Sequence, residues 1–332
     1  MLLPLALVAA GLPAGSASAA GAACADTMVF EVGGTTDPTA AGYNHANETL
    51  PQGFAATRIH YPAQLRPLPE AGTTHEAEYT LDESAAIGEA NLRTAVTEFH
   101  ASCPGSHLLL TGISQGALVA GNVLGELAHQ DKIPHDQIDG VLYADPRRKP
   151  AHGFAGGLMT NLPTFLDGLT MQGPRGFGDL AVHQICYQND GVCKSDNPIT
   201  NLPAFANGIV GWIEGAHGKY VLDPVHDRGS GDTVIAQAPA VPYGPSLPIP
   251  APTLYTLLDG KLPTAAISKV VQGIASLVYA LLNAGQRAEF TTFVNGAGLP
   301  VQAGARDKNW APRVKTLVHN VQVTVRQSRT GR

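Results

Sequence analysis

A serine framed by glycines is the first candidate for chemistry in this chain. Residues 108–121 read LLLTGISQGALVAG, and GISQG at 112–116 matches the pattern G-x-S-x-G. In that pattern the serine lies on a sharp turn from a strand into a helix, so its neighbours two positions away must be small. The helix N-terminus also favours negative charge beside the serine. Ser114 is therefore predicted to be a nucleophile, and a plain serine in a glycine-rich bend is the alternative.

A nucleophilic serine needs a general base and an acid that orients the base. After a G-x-S-x-G serine, the acid precedes the base in the chain. Asp190 lies in CYQNDGVC, where a crosslink between the two cysteines would hold the carboxylate in place. His217 lies between two glycines in EGAHGKY, which indicates a loop that brings the ring close to other backbone. We predict Asp190 as the acid and His217 as the base.

Other residues compete for these two roles. The chain has 12 histidines, and His226 in DPVHDRG is the main alternative base. His183 precedes the predicted acid, so the chain order disfavours it. Asp196 and Asp145 are alternative acids. Asp145 follows a strand-like run, but the basic residues in PRRKP after it favour a salt-linked turn.

Acyl transfer also needs hydrogen-bond donors for the negative oxygen of the tetrahedral intermediate. The backbone N–H of Gln115, directly after the nucleophile, is one expected donor. The second is expected from the loop GGTTDP at 33–38, where Thr35 offers its N–H and its hydroxyl. A simple Gly-Thr turn is the alternative for this loop. The mechanism requires neither a cofactor nor a metal, and no C-x-x-C spacing of a zinc site is present.

The elements that position these residues alternate along the first half of the chain. A helix that Asp82 can cap carries apolar residues near a period of 3.6 within 79–103. Strand-like runs lie in 27–38, 55–63, 107–112 and 138–146, and a second helical pattern lies in 115–130. This βαβαβ order predicts an open, mostly parallel sheet flanked by helices on both faces. With the G-x-S-x-G turn between a strand and a helix of this sheet, the predicted fold class is an α/β-hydrolase.

The chain has four cysteines, all after an N-terminal stretch, residues 1–20, that resembles an export signal. An even number of cysteines in an exported protein indicates disulfides, here two, for which three pairings exist. Cys186 and Cys193 are close enough in sequence to close a small loop, which leaves Cys24 with Cys103.

The second pair agrees with the predicted sheet. Cys24 and Cys103 each lie nine residues before a glycine that ends an apolar strand, Gly33 and Gly112 respectively. If these strands are parallel neighbours, both cysteines lie at one edge of the sheet, where a bridge is geometrically easy. The loop after the first strand then lies beside Ser114 at the opposite edge, where open α/β sheets bind ligands.

The rest of the chain suggests export and a C-terminal extension. Residues 1–20 resemble a signal peptide, with an apolar run too short to span a bilayer and a small-residue cleavage region; an uncleaved anchor is the alternative. The predicted order continues with a catalytic domain at 24–228, a Pro-rich linker at 229–252 and a helical extension at 253–332. One apolar helix face in the extension is predicted to pack on the main domain, with lipid contact as the alternative: Ile267, Val270, Val271, Ile274, Leu277, Val278, Leu281 and Leu282.

Composition narrows the partners. Charged residues make up only 14% of the chain, and 21 basic against 27 acidic residues give a net charge of −6. This balance argues against nucleic acid and anionic membrane surfaces as partners.

The apolar segment 153–171, which includes Phe154 and Phe165, is predicted to line an acyl pocket.

Several stretches resemble known families. CPGSHLLLTGISQGA, the cysteine-bounded loop around Asp190 and the later His217 resemble a cutinase-type serine esterase, and GGTTDP is similar to the segment that supplies a cutinase's oxyanion hole. VFEVGGTTDPTAAGY, IHYPAQLRPL, TLDESAAIGEANLRTAV, YADPRRKP and GAHGKYVLDP look closer to the PE-PPE hydrolase domain, a cutinase relative of the actinobacterial cell envelope. This resemblance covers roughly residues 27–225. Ile113 departs from it, since both families usually have an aromatic residue before the nucleophile.

The resemblance implies an open active site and ester or lipid substrates, among them polyesters, triacylglycerols, phospholipids and acyl thioesters. We therefore expect a secreted or envelope-associated serine hydrolase that cleaves carboxylic esters through an acyl-enzyme. Contact with the cell envelope or a lipid surface, and the oligomeric state, stay open. One alternative is an acyltransferase or thioesterase that uses the same three residues on envelope lipids. An alternative of another class is a non-catalytic envelope interaction protein.

Overall fold

The computed structural model describes residues 24–66, 76–162, 164, 168–197, 202–213 and 215–237. The predicted signal peptide and the predicted C-terminal extension with its amphipathic helix lie outside these residues.

The described chain forms one six-stranded sheet in which every strand pair is parallel. The strands are β1 (Thr27–Val32), β2 (Phe54–Arg58), β3 (His107–Ile113), β4 (Ile138–Tyr143), β5 (Ala181–Tyr187) and β6 (Gly231–Ile235), in the spatial order β2-β1-β3-β4-β5-β6. The predicted α/β fold with an open parallel sheet is confirmed. Strand β6 falls in the stretch predicted to be linker, so the sheet extends beyond residue 228.

The described helices are α1 (Asn44–Glu48), α2 (Leu81–Ser102), α3 (Gln115–Leu127), α4 (Leu158–Asn161) and α5 (Leu202–Ile213). The cap of α2 differs from the prediction. Thr80, not Asp82, is the N-cap: its hydroxyl accepts the N–H of Glu83, and the Glu83 carboxylate accepts the N–H of Thr80, a capping box. The Asp82 carboxylate instead accepts the N–H and the hydroxyl of Thr170.

Both faces of the sheet are buried, as is usual for parallel strands. On the first face α2 and α3 pack on the sheet, through residues such as Leu92, Val96, Leu118 and Leu124, all at most 1% exposed. On the second face the core consists of Val29, Leu109, Val141, Tyr143 and Ile185, and the residues packed on it from the described chain include Tyr220, Leu222 and Val225.

The register places the two ends of the sheet as the sequence predicts. Thr27 pairs with His107 and Val32 with Gly112, so β1 and β3 start and end together. The disulfide Cys24–Cys103 joins the segments that precede these strands. The loop after β1 therefore lies beside Ser114 at the carboxyl edge of the sheet.

Candidate active site

The backbone at Ser114 is a strained turn between β3 and α3. Its φ of 58° and ψ of −118° lie outside the regions that a non-glycine residue normally adopts. A β-carbon on Gly112 would lie 2.1 Å from the carbonyl oxygen of Gly116, and one on Gly116 would lie 2.2 Å from the carbonyl oxygen of Val32. Both glycines of the G-x-S-x-G pattern are thus required by contact with neighbouring backbone.

Two elements hold this turn in place. The N–H of Ser114 donates to the carbonyl of Tyr143 on β4 at 2.9 Å, and the carbonyl of Ser114 accepts the N–H of Leu118 at 3.0 Å. The N-terminus of the 13-residue helix α3 begins directly after the serine, so its positive end lies at the side chain.

The loop after β1 contacts the nucleophile turn. A β-carbon on Gly34 would lie 3.5 Å from Cβ of Ser114. The hydroxyl of Thr35 donates to Oε1 of Gln115 at 3.0 Å, and Nε2 of Gln115 donates to the carbonyl of Gln64 at 3.1 Å. Among the described residues, the backbone N–H groups of Thr35 and Gln115 have no acceptor. Two N–H donors near Ser114 are therefore available to a ligand.

Sequence reasoning assigned no role to the YPA segment, Tyr61 to Ala63 within IHYPAQLRPL, which holds this loop in place. The buried hydroxyl of Tyr61 donates to the carbonyl of Gly33 at 2.6 Å, and the N–H of Thr36 donates to the carbonyl of Ala63 at 2.8 Å. Burial raises the pKa of Tyr61 well above its usual value, so the hydroxyl stays a donor. These partners are 27 or more residues apart in the chain, and only the quoted YPA resemblance pointed to them.

The predicted acid and base lie together on the loops that follow β5 and α5. Oδ2 of Asp190 accepts a hydrogen bond from Nδ1 of His217 at 2.8 Å, and Oδ1 accepts the N–H of Val192 at 2.9 Å. Asp190 is fully buried, whereas the His217 side chain is 18% exposed. A carboxylate bonded to Nδ1 leaves Nε2 as the ring nitrogen that can accept a proton.

The structure forms the second predicted disulfide, Cys186–Cys193, and both cysteines are fully buried on either side of Asp190. Arg148 fastens this loop to the sheet. Its buried guanidinium donates to the carbonyl of Cys193 at 3.2 Å and pairs with Asp232 on β6, where Nη2 and Oδ2 are 2.7 Å apart. Because Arg bound bidentately to a carboxylate is geometrically specific, this pair fixes the loop relative to β6.

The alternative acids are engaged elsewhere. Asp145 is buried, its Oδ1 lies 2.8 Å from Nη2 of Arg175, and its Oδ2 accepts Nε2 of Gln184 at 2.6 Å. The ion pair thus joins Asp145 to Arg175 and not, as the sequence suggested, to the basic residues of PRRKP. Asp196 pairs with Lys194.

The alternative bases are also engaged elsewhere. The His226 side chain is 69% exposed and pairs with Asp223 at 2.8 Å. His183 bonds the carbonyl of Asp227 through Nδ1 at 2.7 Å and the hydroxyl of Thr233 through Nε2 at 2.8 Å.

Tyr220 is a site residue that sequence reasoning missed. Its hydroxyl donates to Oδ2 of Asp190 at 2.9 Å and accepts the N–H of Tyr187 at 2.8 Å. Its ring meets the His217 ring edge-on, with centroids 6.4 Å apart. Its position three residues after His217, in the quoted segment GAHGKYVLDP, is the signal that would have found it.

The structure also bears on metal binding, on membrane-spanning helices and on the predicted acyl pocket. Within the described ranges, no group of three or more His, Cys, Asp or Glu side chains is arranged to hold a metal ion. No helix in the same part of the chain is long and apolar enough to cross a membrane. In the segment predicted to line the acyl pocket, Phe154 is partly buried and Leu169 and Met171 pack on the core, whereas Phe165 lies outside the described residues.

Comparison with known proteins agrees with the resemblance seen in the sequence. One curated relative is the carboxylesterase Culp6 homolog of Corynebacterium glutamicum, 33% identical over an alignment of 184 residues, with 49% of this chain and 58% of that protein covered. The chain thus matches less than two thirds of that relative's length.

Solved structures give a more distant likeness. The catalytic core domain of acetyl xylan esterase from Trichoderma reesei is 22% identical, with 51% of this chain and 86% of that chain covered and a TM-score of 0.36. A cutinase-like protein from Cryptococcus sp. is 20% identical, with 52% of this chain and 80% of that chain covered and a TM-score of 0.36.

The family comparison covers more of the chain. Residues 52–240, more than half of the 332, match the family model of the PE-PPE domain, and the match includes β6. The chain belongs to the PE-PPE domain family.

Proposed function

We propose that this protein is a serine hydrolase that cleaves carboxylic esters through an acyl-enzyme. The observation that carries the proposal is the hydrogen bond from Nδ1 of His217, on the loop after α5, to buried Asp190, on the loop after β5. Because all strands are parallel, the ends of β3 and β5 lie at one edge of the sheet, so this pair is on the same edge as the strained Ser114. The carboxylesterase name of the C. glutamicum relative supports the reaction class.

In the proposed reaction Oγ of Ser114 attacks the ester carbonyl, and Nε2 of His217 takes the serine proton. Asp190 holds the ring in the tautomer that leaves Nε2 free and stabilises the imidazolium that forms. The N–H groups of Gln115 and Thr35 bind the negative oxygen of the tetrahedral intermediate. The alcohol leaves with the proton from His217, and His217 then activates the water that hydrolyses the acyl-enzyme.

Ser114 and His217 share no hydrogen bond in the described part of the structure. The reaction needs these two side chains within hydrogen-bond distance, and such bonds are often long or absent before substrate binds.

The proposal extends to location and substrate. Two disulfides, Cys24–Cys103 and Cys186–Cys193, are typical of proteins that fold outside the cytosol, which supports a secreted or envelope-associated esterase. The segment 153–171 is proposed to contact the acyl chain. If replacing Phe154 and Phe165 left the preferred acyl length unchanged, that assignment would be wrong.

The direct test is hydrolysis of p-nitrophenyl esters of short to long acyl chains by wild type and Ser114→Ala. We expect the variant to lose at least about a thousandfold in kcat/KM, because removal of a triad nucleophile costs that much or more. Ser102→Ala is the matched control, since Ser102 is an exposed serine whose hydroxyl donates to the helix carbonyl of Glu98. Equal rates for wild type and Ser114→Ala would refute the proposal.

Two further readouts belong to the same experiment. A histidine base accepts a proton only when its ring is neutral, so activity should rise with pH, and a flat profile would contradict a histidine base. An added alcohol acceptor separates hydrolysis from acyl transfer, because a transferase gives the new ester as its main product.

A further inference from the structure

Two donors share one oxygen of the buried carboxylate. Oδ2 of Asp190 accepts both Nδ1 of His217, at 2.8 Å, and the hydroxyl of Tyr220, at 2.9 Å. Oδ1 is bonded to the N–H of Val192. In the part of the chain that the structure describes, His217 is the one basic side chain paired with this carboxylate. The buried charge of Asp190 is therefore stabilised by hydrogen bonds rather than by an ion pair with Arg or Lys.

The Tyr220 hydroxyl is oriented before any substrate binds. It accepts the N–H of Tyr187 at 2.8 Å, so its proton is directed away from that neighbour. The ring is held by Tyr187, with centroids 4.7 Å apart, and by the edge of Tyr143 at 6.2 Å. Burial and the nearby carboxylate of Asp190 raise the pKa of Tyr220 well above its usual value, so the group remains a donor across the working pH range.

We propose that Tyr220 is a positioning residue that fixes Asp190 and limits its basicity toward His217. The hydroxyl occupies one lone-pair direction of Oδ2, which leaves the other for Nδ1–H of the imidazole. A donor on the carboxylate also disperses its negative charge, so it attracts a proton on the ring less strongly. The ring then stays neutral, and able to accept the serine proton, at lower pH than it otherwise would. This inference rests on the function proposed above.

The test is Tyr220→Phe, which removes the hydroxyl and keeps the ring. We expect kcat to fall about tenfold with KM within about twofold, because one oriented hydrogen bond to a charged group is lost. The acidic limb of the pH–rate profile should move to higher pH, since the carboxylate now holds the ring proton more strongly. A loss of activity with an unmoved pH profile would overturn the proposal.

Tyr143→Phe is the matched control. The Tyr143 hydroxyl also bonds a carboxylate, that of Asp227 at 2.6 Å, and lies in the same aromatic cluster, but within the described residues it has no hydrogen bond to Asp190. We expect this variant to keep the wild-type pH profile. The same shift in both variants would mean that loosening the cluster, not the bond to Asp190, is the cause.

A spectroscopic arm separates this inference from the proposed function. NMR titration of the His217 ring needs no substrate, and Tyr220→Phe should raise the pH at which the ring titrates, whereas Tyr143→Phe should not. Esters untouched by wild type would refute the proposed function, while an unmoved ring titration would refute the role of Tyr220. Site-specific 3-fluorotyrosine at 220 keeps the packing and strengthens the donor, so it should move the titration to lower pH; it decides the matter if the Phe variant does not fold.

Discussion

The two halves of the candidate site are held by different means. The nucleophile side, which comprises Gly33–Thr35 and the turn at Ser114, is positioned by neighbouring strands and by backbone contacts that admit only glycine. The acid–base side, which comprises Asp190 and His217, lies on loops held by a disulfide, by Arg148 and by the Tyr220 hydroxyl. The nucleophile side thus relies mainly on strand pairing and close backbone packing, to which the Tyr61 hydroxyl adds a hydrogen bond, whereas the acid–base side relies on a crosslink and on hydrogen bonds between loops.

This difference predicts different failures. Strand pairing and helix packing form with the core, so damage to the nucleophile side should reduce folding and activity together. The acid–base side can lose its geometry while the core persists, since its supports are individual bonds between loops. Substitutions on that side should therefore lower activity more than stability.

Gly116→Ala is expected to have the largest effect. A β-carbon at this position would lie 2.2 Å from the carbonyl oxygen of Val32 and 2.4 Å from that of Gly33, and both are backbone atoms that cannot rotate away. We expect destabilisation by about 3 kcal/mol or more, the upper range for overpacked interiors, together with loss of activity. Urea unfolding and ester hydrolysis would measure both.

Gly105→Ala is the control for that change, because a β-carbon there meets no atom within 4 Å. A Gly116→Ala protein as stable and active as this control would show that α3 and β1 do not approach as closely as the structure indicates.

Removing each disulfide sharpens the comparison. Cys186→Ser/Cys193→Ser opens a loop with a sequence separation of 7, and Cys24→Ser/Cys103→Ser opens one of 79. Loop-closure entropy predicts losses of about 2.4 and about 4.5 kcal/mol, respectively. We expect the first variant to lose about tenfold in kcat/KM while folded, because Asp190 lies inside its loop, and the second to keep wild-type kcat/KM in its folded fraction.

Chemical denaturation paired with active-site titration distinguishes the two variants. If activity in both fell only in proportion to the unfolded fraction, the small disulfide would have no part in positioning Asp190.

The sequence could predict those features of the molecule that follow from patterns within short stretches of the chain. The motif around Ser114, the first four strands and the Cys24–Cys103 spacing are local patterns, and the structure confirms that part of the sheet and that disulfide. Chain order and loop context predicted that Asp190 and His217 would meet, and the structure joins them. Their catalytic roles stay predictions.

The remaining features depend on contacts between distant residues. Strands β5 and β6 escaped detection because AVHQICY and GDTVI interrupt their apolar residues with polar ones, and β6 is an edge strand with alternating exposure. Arg148 reaches Asp232, which is 84 residues away in the chain. Thr80 and Asp82 are both good capping residues, and only the observed hydrogen bonds decide between them.

The two sides of the site each have a buried carboxylate nearby, and the two carboxylates differ in their hydrogen-bond partners. Asp190, on the acid–base side, has a donor on each oxygen. Glu31, on β1 two residues before Gly33, is 1% exposed; its Oε2 accepts Nδ2 of Asn47 at 2.9 Å, but its Oε1 has no partner among the described residues. Burial raises the pKa of Glu31 from 4.5 to about 7, although the bond from Asn47 and the charge of Arg58 oppose the shift.

Glu31→Gln should therefore change how stability depends on pH. A carboxyl whose pKa is raised on folding binds its proton more tightly in the native state, so its contribution is complete below pH 4.5 and is lost as the pH rises to about 7. With about 1.4 kcal/mol per pKa unit, the free energy of unfolding of wild type should fall between pH 4 and pH 8 by up to about 3 kcal/mol more than that of Glu31→Gln. Urea unfolding at both pH values measures this difference, with Glu48→Gln as the control because the Glu48 side chain is 72% exposed. If the free energies of unfolding of wild type and Glu31→Gln changed equally between the two pH values, Glu31 would be ionised in the folded protein, and this carboxyl on β1 would hold no proton.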